Sequence, residues 1–223
     1  MIRGRLVFAV LGMVAVGGLL AAPAVGMDKG HWLVRVRGVN FNPDDGAADP
    51  NEGSEPRIVF DQEVTWEADL SYFISPRFSL EMSVMDPRLD VEGRGTLAGP
   101  GDLTRVRMLA PTLSCRYHFL PSKWVRPYVG VGASYAHFHD QEPLARPADV
   151  GDGPTRLSIE ETWSYVGQAG VDLFIGDHWT FNWDVKYLEM DTDAVFRTPG
   201  AASVSTDISV DPWVAGAGVG FRF

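Results

Sequence analysis

Eleven ionisable side chains recur at alternate positions of otherwise apolar segments. They are Arg35, Arg37, Arg116, Arg126, Lys186 and Arg222 against Glu67, Asp69, Glu81, Asp172 and Asp184. Six cations and five anions on one set of faces nearly balance, as a self-paired buried network would. Its expected role is structural, and no proton or ion chemistry is assigned to it. Other reactive types are sparse. His137, His139 and Asp140 sit together, but alternation puts both histidines on one face at a strand end, which reads as a loop root. Asp44, Asp45, Asp49 and Glu52 invite a calcium reading, yet their spacing misses the EF-hand order and leaves a solvated acidic loop. No Ser, His and acid set is placed for nucleophilic catalysis, so no enzyme activity, cofactor or metal is expected.

The elements that carry these residues alternate with period two, and no helical stripe is sustained. Eight strands are read at 32–41, 63–74, 77–85, 104–119, 125–138, 163–175, 178–190 and 213–223. In the seventh, Trp179, Phe181, Trp183, Val185 and Tyr187 alternate with Thr180, Asn182, Asp184 and Lys186. The links are short at 75–76, 120–124 and 176–177, and long and polar at 42–62, 87–103, 139–162 and 191–211. Short turns at one end and long loops at the other are the pattern of an eight-stranded antiparallel transmembrane β-barrel.

A secreted sandwich or a lipocalin-like barrel also alternates, with its apolar face inward. The residue types favour the membrane barrel. Trp32, Trp66, Tyr72, Tyr117, Trp163, Tyr165, Trp179, Tyr187 and Trp213 gather near strand ends of the apolar faces, as interfacial girdles do. In that register Cys115, the one cysteine, faces lipid as a small apolar residue.

Composition agrees. The chain has 223 residues, 45% hydrophobic and 11% aromatic, which excludes a disordered chain. Its long apolar run, 6–22, follows Arg3 and Arg5 and ends in small residues, so 1–26 reads as a signal peptide and 27–223 as the barrel. Of 19 basic residues, losing Arg3 and Arg5 leaves 17 against 29 acidic, a net charge of −12. Nucleic acid is therefore not an expected partner. The chain stops at Phe223 with apolar residues at every second position back to Trp213. Outer-membrane barrels end this way, on an aromatic that the barrel assembly machinery reads.

Several segments together resemble the OmpW family of small outer-membrane proteins. They are Gly30-His31-Trp32-Leu33-Val34-Arg35-Val36-Arg37-Gly38-Val39, Pro111-Thr112-Leu113 leading to Tyr117-His118-Phe119, and Arg126-Pro127-Tyr128-Val129-Gly130-Val131-Gly132. Asp177-His178-Trp179 with Asp184-Val185-Lys186-Tyr187, and Asp211-Pro212-Trp213 to Gly220-Phe221-Arg222-Phe223, complete the set. Arg116 and Ser134 depart from it, standing where amides are expected. The resemblance implies an eight-stranded barrel in the outer membrane of a Gram-negative cell and passage of small hydrophobic molecules.

With the N-terminus at the periplasmic end, inward-facing residues sort by height into two zones. The outer one holds Val39, Phe41, Met85, Val106, Met108, Ala136, Phe138, Val166, Leu188, Met190 and Val214. The lower one holds Arg35, Arg37, Glu67, Asp69, Glu81, Arg116, Asp172, Asp184, Lys186 and Arg222. An apolar mouth above a charged plug is not a water-filled porin. The expected function is a monomeric, lipid-embedded barrel that binds or passes a small hydrophobic ligand at Val39, Phe41, Met108, Ala136, Phe138, Val166, Leu188 and Met190. The alternative is a structural barrel whose acidic extracellular loops meet partners.

Overall fold

A computed structural model describes residues 30–43, 57–94, 104–121, 124–140, 156–197 and 204–223. The expected signal segment 1–26 and the acidic stretch 44–55 lie outside the described residues. Thirteen strands run through them. In chain order they are β1 (Trp32–Asn42), β2 (Arg57–Phe60), β3 (Glu63–Phe73), β4 (Phe78–Met85), β5 (Arg88–Arg94), β6 (Thr104–His118) and β7 (Val125–His139). There follow β8 (Arg156–Ile159), β9 (Thr162–Ile175), β10 (Trp179–Glu189), β11 (Asp191–Arg197), β12 (Val204–Ser209) and β13 (Trp213–Arg222).

Eight of these close a ring in the order β1, β3, β4, β6, β7, β9, β10, β13, with every pair antiparallel. The first and last strands form one seam, from Leu33 opposite Arg222 to Asn42 opposite Trp213. Closure satisfies every edge, which a sheet in lipid requires. The turns are tight where the chain returns. Ser75 Oγ accepts the backbone N–H groups of Arg77 and Phe78, and Gly176 takes φ 61°, a value that suits glycine.

The expected strands and faces hold. Trp179, Phe181 and Trp183 point outward, the first 58% exposed, while Asn182, Asp184 and Lys186 are buried within the ring. Outward aromatics pair at both ends of the band. Trp32 meets Tyr72 and Trp179 meets Phe221 at the periplasmic end; Tyr187 meets Trp213 and Tyr135 meets Trp163 at the other. A band of Val34, Val36, Leu80, Met82, Leu113, Val131, Phe181 and Val185 lies between them, exposed to the surroundings. Cys115 is exposed on this face. Such a surface belongs in a bilayer.

One expectation needs correction. The four long links are not loops throughout: they contain β2, β5, β8, β11 and β12. Pro87 marks why β4 and β5 separate, since a residue without an N–H interrupts a ladder that resumes from Arg88 opposite Arg107. These extensions rise in two separate groups. β2 and β5 continue the β6 side of the ring, while β8, β11 and β12 form their own three-stranded sheet. Among the described residues, the wall above the closed ring therefore divides into two wings.

Candidate functional site

Inside the ring the buried side chains form three layers, one more than alternation alone predicts. Leu33, Phe73 and Phe174 make an apolar floor at the periplasmic end. Charged and polar groups fill the middle. Sixteen apolar residues among those described fill the extracellular end in one cluster.

The middle layer is organised around two arginines of β1. Arg35 Nε donates to both oxygens of Asp69 on β3 at 2.9 and 3.1 Å, and Nη1 donates to Asp172 on β9 at 2.9 Å. Its Nη2 also meets Ser71 at 3.0 Å and Glu81 of β4. Arg37 pairs with Asp69 at 2.9 Å and with Glu67, and its Nη1 donates to Asn182 Oδ1 at 3.0 Å. Arg116 holds Glu81 at 2.8 Å. Lys186 meets Glu67 and lies 3.8 Å from Asp184. Side chains of β1, β3, β4, β6, β9 and β10 thus brace one another across the interior. Cut off from water, every such contact is stronger than on a surface, and every missing one is costlier.

Three of the ring's glycines explain how so much charge fits. Cβ atoms at Gly216, Gly218 and Gly220 of β13 would lie 2.6 Å from Val39, 2.7 Å from Arg37 Cγ and 2.5 Å from Arg35 Cγ. The β13 wall is bare where the arginine stems lie. That is a packing reason for glycine at alternate positions.

Nine of the ten residues expected in the lower zone stand in this layer, and Arg126, the eleventh charged residue, is buried with its guanidinium 4.7 Å from the Phe174 ring. Arg222 is buried at floor level, in register with Leu33, where it donates to the Asp177 carbonyl and lies 6.0 Å from the Phe174 ring. Asn182, which alternates with the outward aromatics of β10, donates to the buried Tyr128 hydroxyl of β7 at 3.1 Å. Tyr128 donates to Asp184 at 2.7 Å, and Asn182 donates to Asp172 at 2.8 Å. Ser71, Gln168 and His118 also contribute; Gln168 donates to Ser114 at 2.8 Å, and His118 Nε2 meets Ser79 Oγ at 2.9 Å. Depth, not face, separates these from residues of the other layers, and periodicity carries no depth.

The eight residues expected to line the mouth, Val39, Phe41, Met108, Ala136, Phe138, Val166, Leu188 and Met190, all belong to the upper cluster. Met85, Val106 and Val214 join them. So do Leu89 and Val91 of β5, Ile159 of β8 and Val210, which carry the cluster up between the wings. Those four lie in the long polar links, whose composition masks a buried face. The cluster is packed rather than open: its members are between 0% and 6% exposed.

His137 and His139 stack at 6.0 Å at the extracellular end of β7, half-buried on its outer face. His137 meets Glu161, and hydrogen bonds from Tyr135 and His137 hold the Glu161 carboxyl below the usual carboxylate range. This is a braced loop root.

A family model described as OmpW family matches residues 28–223. Outer membrane protein W of Escherichia coli strain K12 is 30% identical over 214 residues, covering 94% of this chain and 96% of that protein. The protein of the same name from Vibrio cholerae serotype O1 is 26% identical over 218 residues, covering 96% and 98%. The crystal structure of OprG from Pseudomonas aeruginosa superposes with a TM-score of 0.77 at 25% identity, covering 89% of this chain and 98% of that one.

Proposed function

We propose that this chain, which belongs to the OmpW family of outer-membrane barrels, captures small hydrophobic molecules at its extracellular end. The observation that carries the reading is the upper cluster. Sixteen apolar side chains of the described residues gather at the end of the lumen that faces away from the periplasm, directly above a charged layer. A barrel needing only an anchor in lipid has no use for an apolar interior at that height.

The physics of capture is desolvation. Each apolar guest gains roughly 25 cal/mol per Å² of surface it removes from water. Since the cluster is packed, a guest enters by taking the place of protein contacts. Met85, Met108 and Met190 supply side chains flexible enough to repack around different shapes. The two wings, not hydrogen-bonded into one closed sheet among the described residues, supply walls able to part. Beneath them the ion pairs stop water from following.

Uptake of a small hydrophobic compound by cells tests this. Leu188→Asp and Phe138→Asp each place a carboxylate inside the cluster, where an apolar guest must desolvate it. Uptake is expected to fall about tenfold or more, given a cost of several kcal/mol for a buried unpaired charge. The barrel still assembles, because neither position faces lipid. Small polar solutes and the outward-facing control Tyr135→Phe remain at the level of the unmodified protein. If both aspartate variants assemble and take up the compound normally, capture in the cluster is wrong.

A further inference from the structure

Four hydroxyl residues line up across the inner wall in direct cross-strand register. Ser83 of β4 faces Thr112 of β6, Thr112 faces Ser134 of β7, and Ser134 faces Ser164 of β9. All four are buried. Ser83 stands opposite Asp69, so one end of the row touches the ion-pair layer. The other end enters the apolar cluster.

The middle of the row is satisfied. Thr112 Oγ1 donates to Ser134 Oγ at 2.9 Å, and Ser134 Oγ donates to the Pro111 carbonyl at 3.2 Å. Ser164 differs: it is 3% exposed, and its hydroxyl has no hydrogen-bond partner among the described residues. Its neighbours on the inner face are Val166, two residues along β9, Leu188, in register with Val166, and Ala136, in register with Thr162. Its cross-strand neighbour Ser134 is engaged with Thr112 and the Pro111 carbonyl, so the buried Ser164 hydroxyl loses its water bonds without a bond in return. Such a group needs a partner that the described residues do not supply.

We infer that Ser164 receives the uncharged oxygen of an amphiphilic guest, so that the ligand is an apolar chain ending in an alcohol or carbonyl. This rests on capture by the upper cluster and names its substrate class. The chain of the guest lies among Phe138, Leu188 and Met190, and its oxygen exchanges a hydrogen bond with Ser164 Oγ. A hydroxyl both donates and accepts, so alcohols and ketones fit alike. A charged head does not. The cations of the layer below, Arg35, Arg37 and Lys186, are already held by Asp69 and Glu67, so a carboxylate at Ser164 is a buried anion without a free partner among these pairs.

The test is uptake of labelled 1-decanol, decane and decanoate by vesicles containing the full barrel. The quantity read is the ratio of decanol to decane, with each variant checked for the heat-modifiable migration of a folded barrel. In the unmodified protein decanol leads, and decanoate enters no faster than the vesicle background. Ser164→Ala lowers the decanol-to-decane ratio by about threefold to tenfold, the worth of one hydrogen bond, and Ser164→Thr restores it. If Ser164→Ala does not fold, Ser164→Cys, nearly the same size and a weak donor, is read in its place with the same drop expected. A ratio unchanged by loss of the hydroxyl, with Leu188→Asp still abolishing decane uptake, overturns the oxygen site and leaves apolar capture standing. Uptake of neither decanol nor decane by the unmodified barrel overturns both.

Discussion

Replacing Arg35 by methionine is expected to destabilise the barrel by about 3–5 kcal/mol, the cost of breaking a buried ion pair on one side. Methionine fills much of the same volume, so the loss is electrostatic. Arg35 reaches from β1 to Asp69 on β3, Glu81 on β4 and Asp172 on β9. With the guanidinium gone, Asp69 keeps Arg37 and Glu81 keeps Arg116. Asp172 loses its pairing with Arg35 and retains the amide of Asn182.

The double variant Arg35→Met with Asp172→Asn is therefore expected to recover part of the loss. Coupling of this kind is the mark of groups in one network. Arg35→Lys should fall between, because an ammonium keeps the charge but not the flat fork that spans three carboxylates. The measurement is the urea midpoint for unfolding from lipid vesicles. An unmoved midpoint in Arg35→Met would mean that water solvates the layer, and the barrel would then conduct water instead of closing below the captured guest.

The parts of this design that were legible in the sequence are those that follow from alternation. A residue such as Asp184, between Trp183 and Val185, declares its face by its neighbours, and a one-residue slip would invert the whole strand. The ring and its lipid-facing band follow from eight such segments. Which charge meets which does not follow, because Arg35 and Asp172 are brought together only by ring closure. Nor does depth: Leu33 and Val39 share the inner face of β1, yet one lies in the floor and the other in the upper cluster. The extensions were hidden for a third reason. Arg88, Asp90 and Glu92 make β5 as polar as a loop, and only Leu89 and Val91 betray a buried side. Ser164 was the least legible of all, since a serine on a lumen face attracts notice only when its neighbours are seen to leave its hydroxyl unbonded.

Gly218→Val is expected to abolish assembly, leaving no heat-modifiable folded species after refolding. Gly218 lies on β13 opposite Arg37 of β1, in the seam that joins the last strand to the first. A Cβ there would stand 2.1 Å from the Val36 carbonyl oxygen and 2.7 Å from the Arg37 Cα. Both are backbone atoms, so no rotamer change relieves the contact, and the two strands must separate. Separation breaks the ladder that closes the ring, and an open edge in lipid leaves backbone groups without partners. It also lifts β13 away from the Arg35 and Arg37 stems that lie against its glycines, so the seam and the ion pairs fail together. Arg37→Ala should not rescue the valine, because the shortest contact is to the main chain. Gly38→Val is the matched control. It is on the neighbouring strand of the same seam, opposite Ala217, and a Cβ there meets nothing within 4 Å. That variant should fold, with a valine added to the lipid-facing band. If Gly218→Val folds as readily as Gly38→Val, close approach of β13 to β1 is not what admits the arginines, and the layered interior needs another cause.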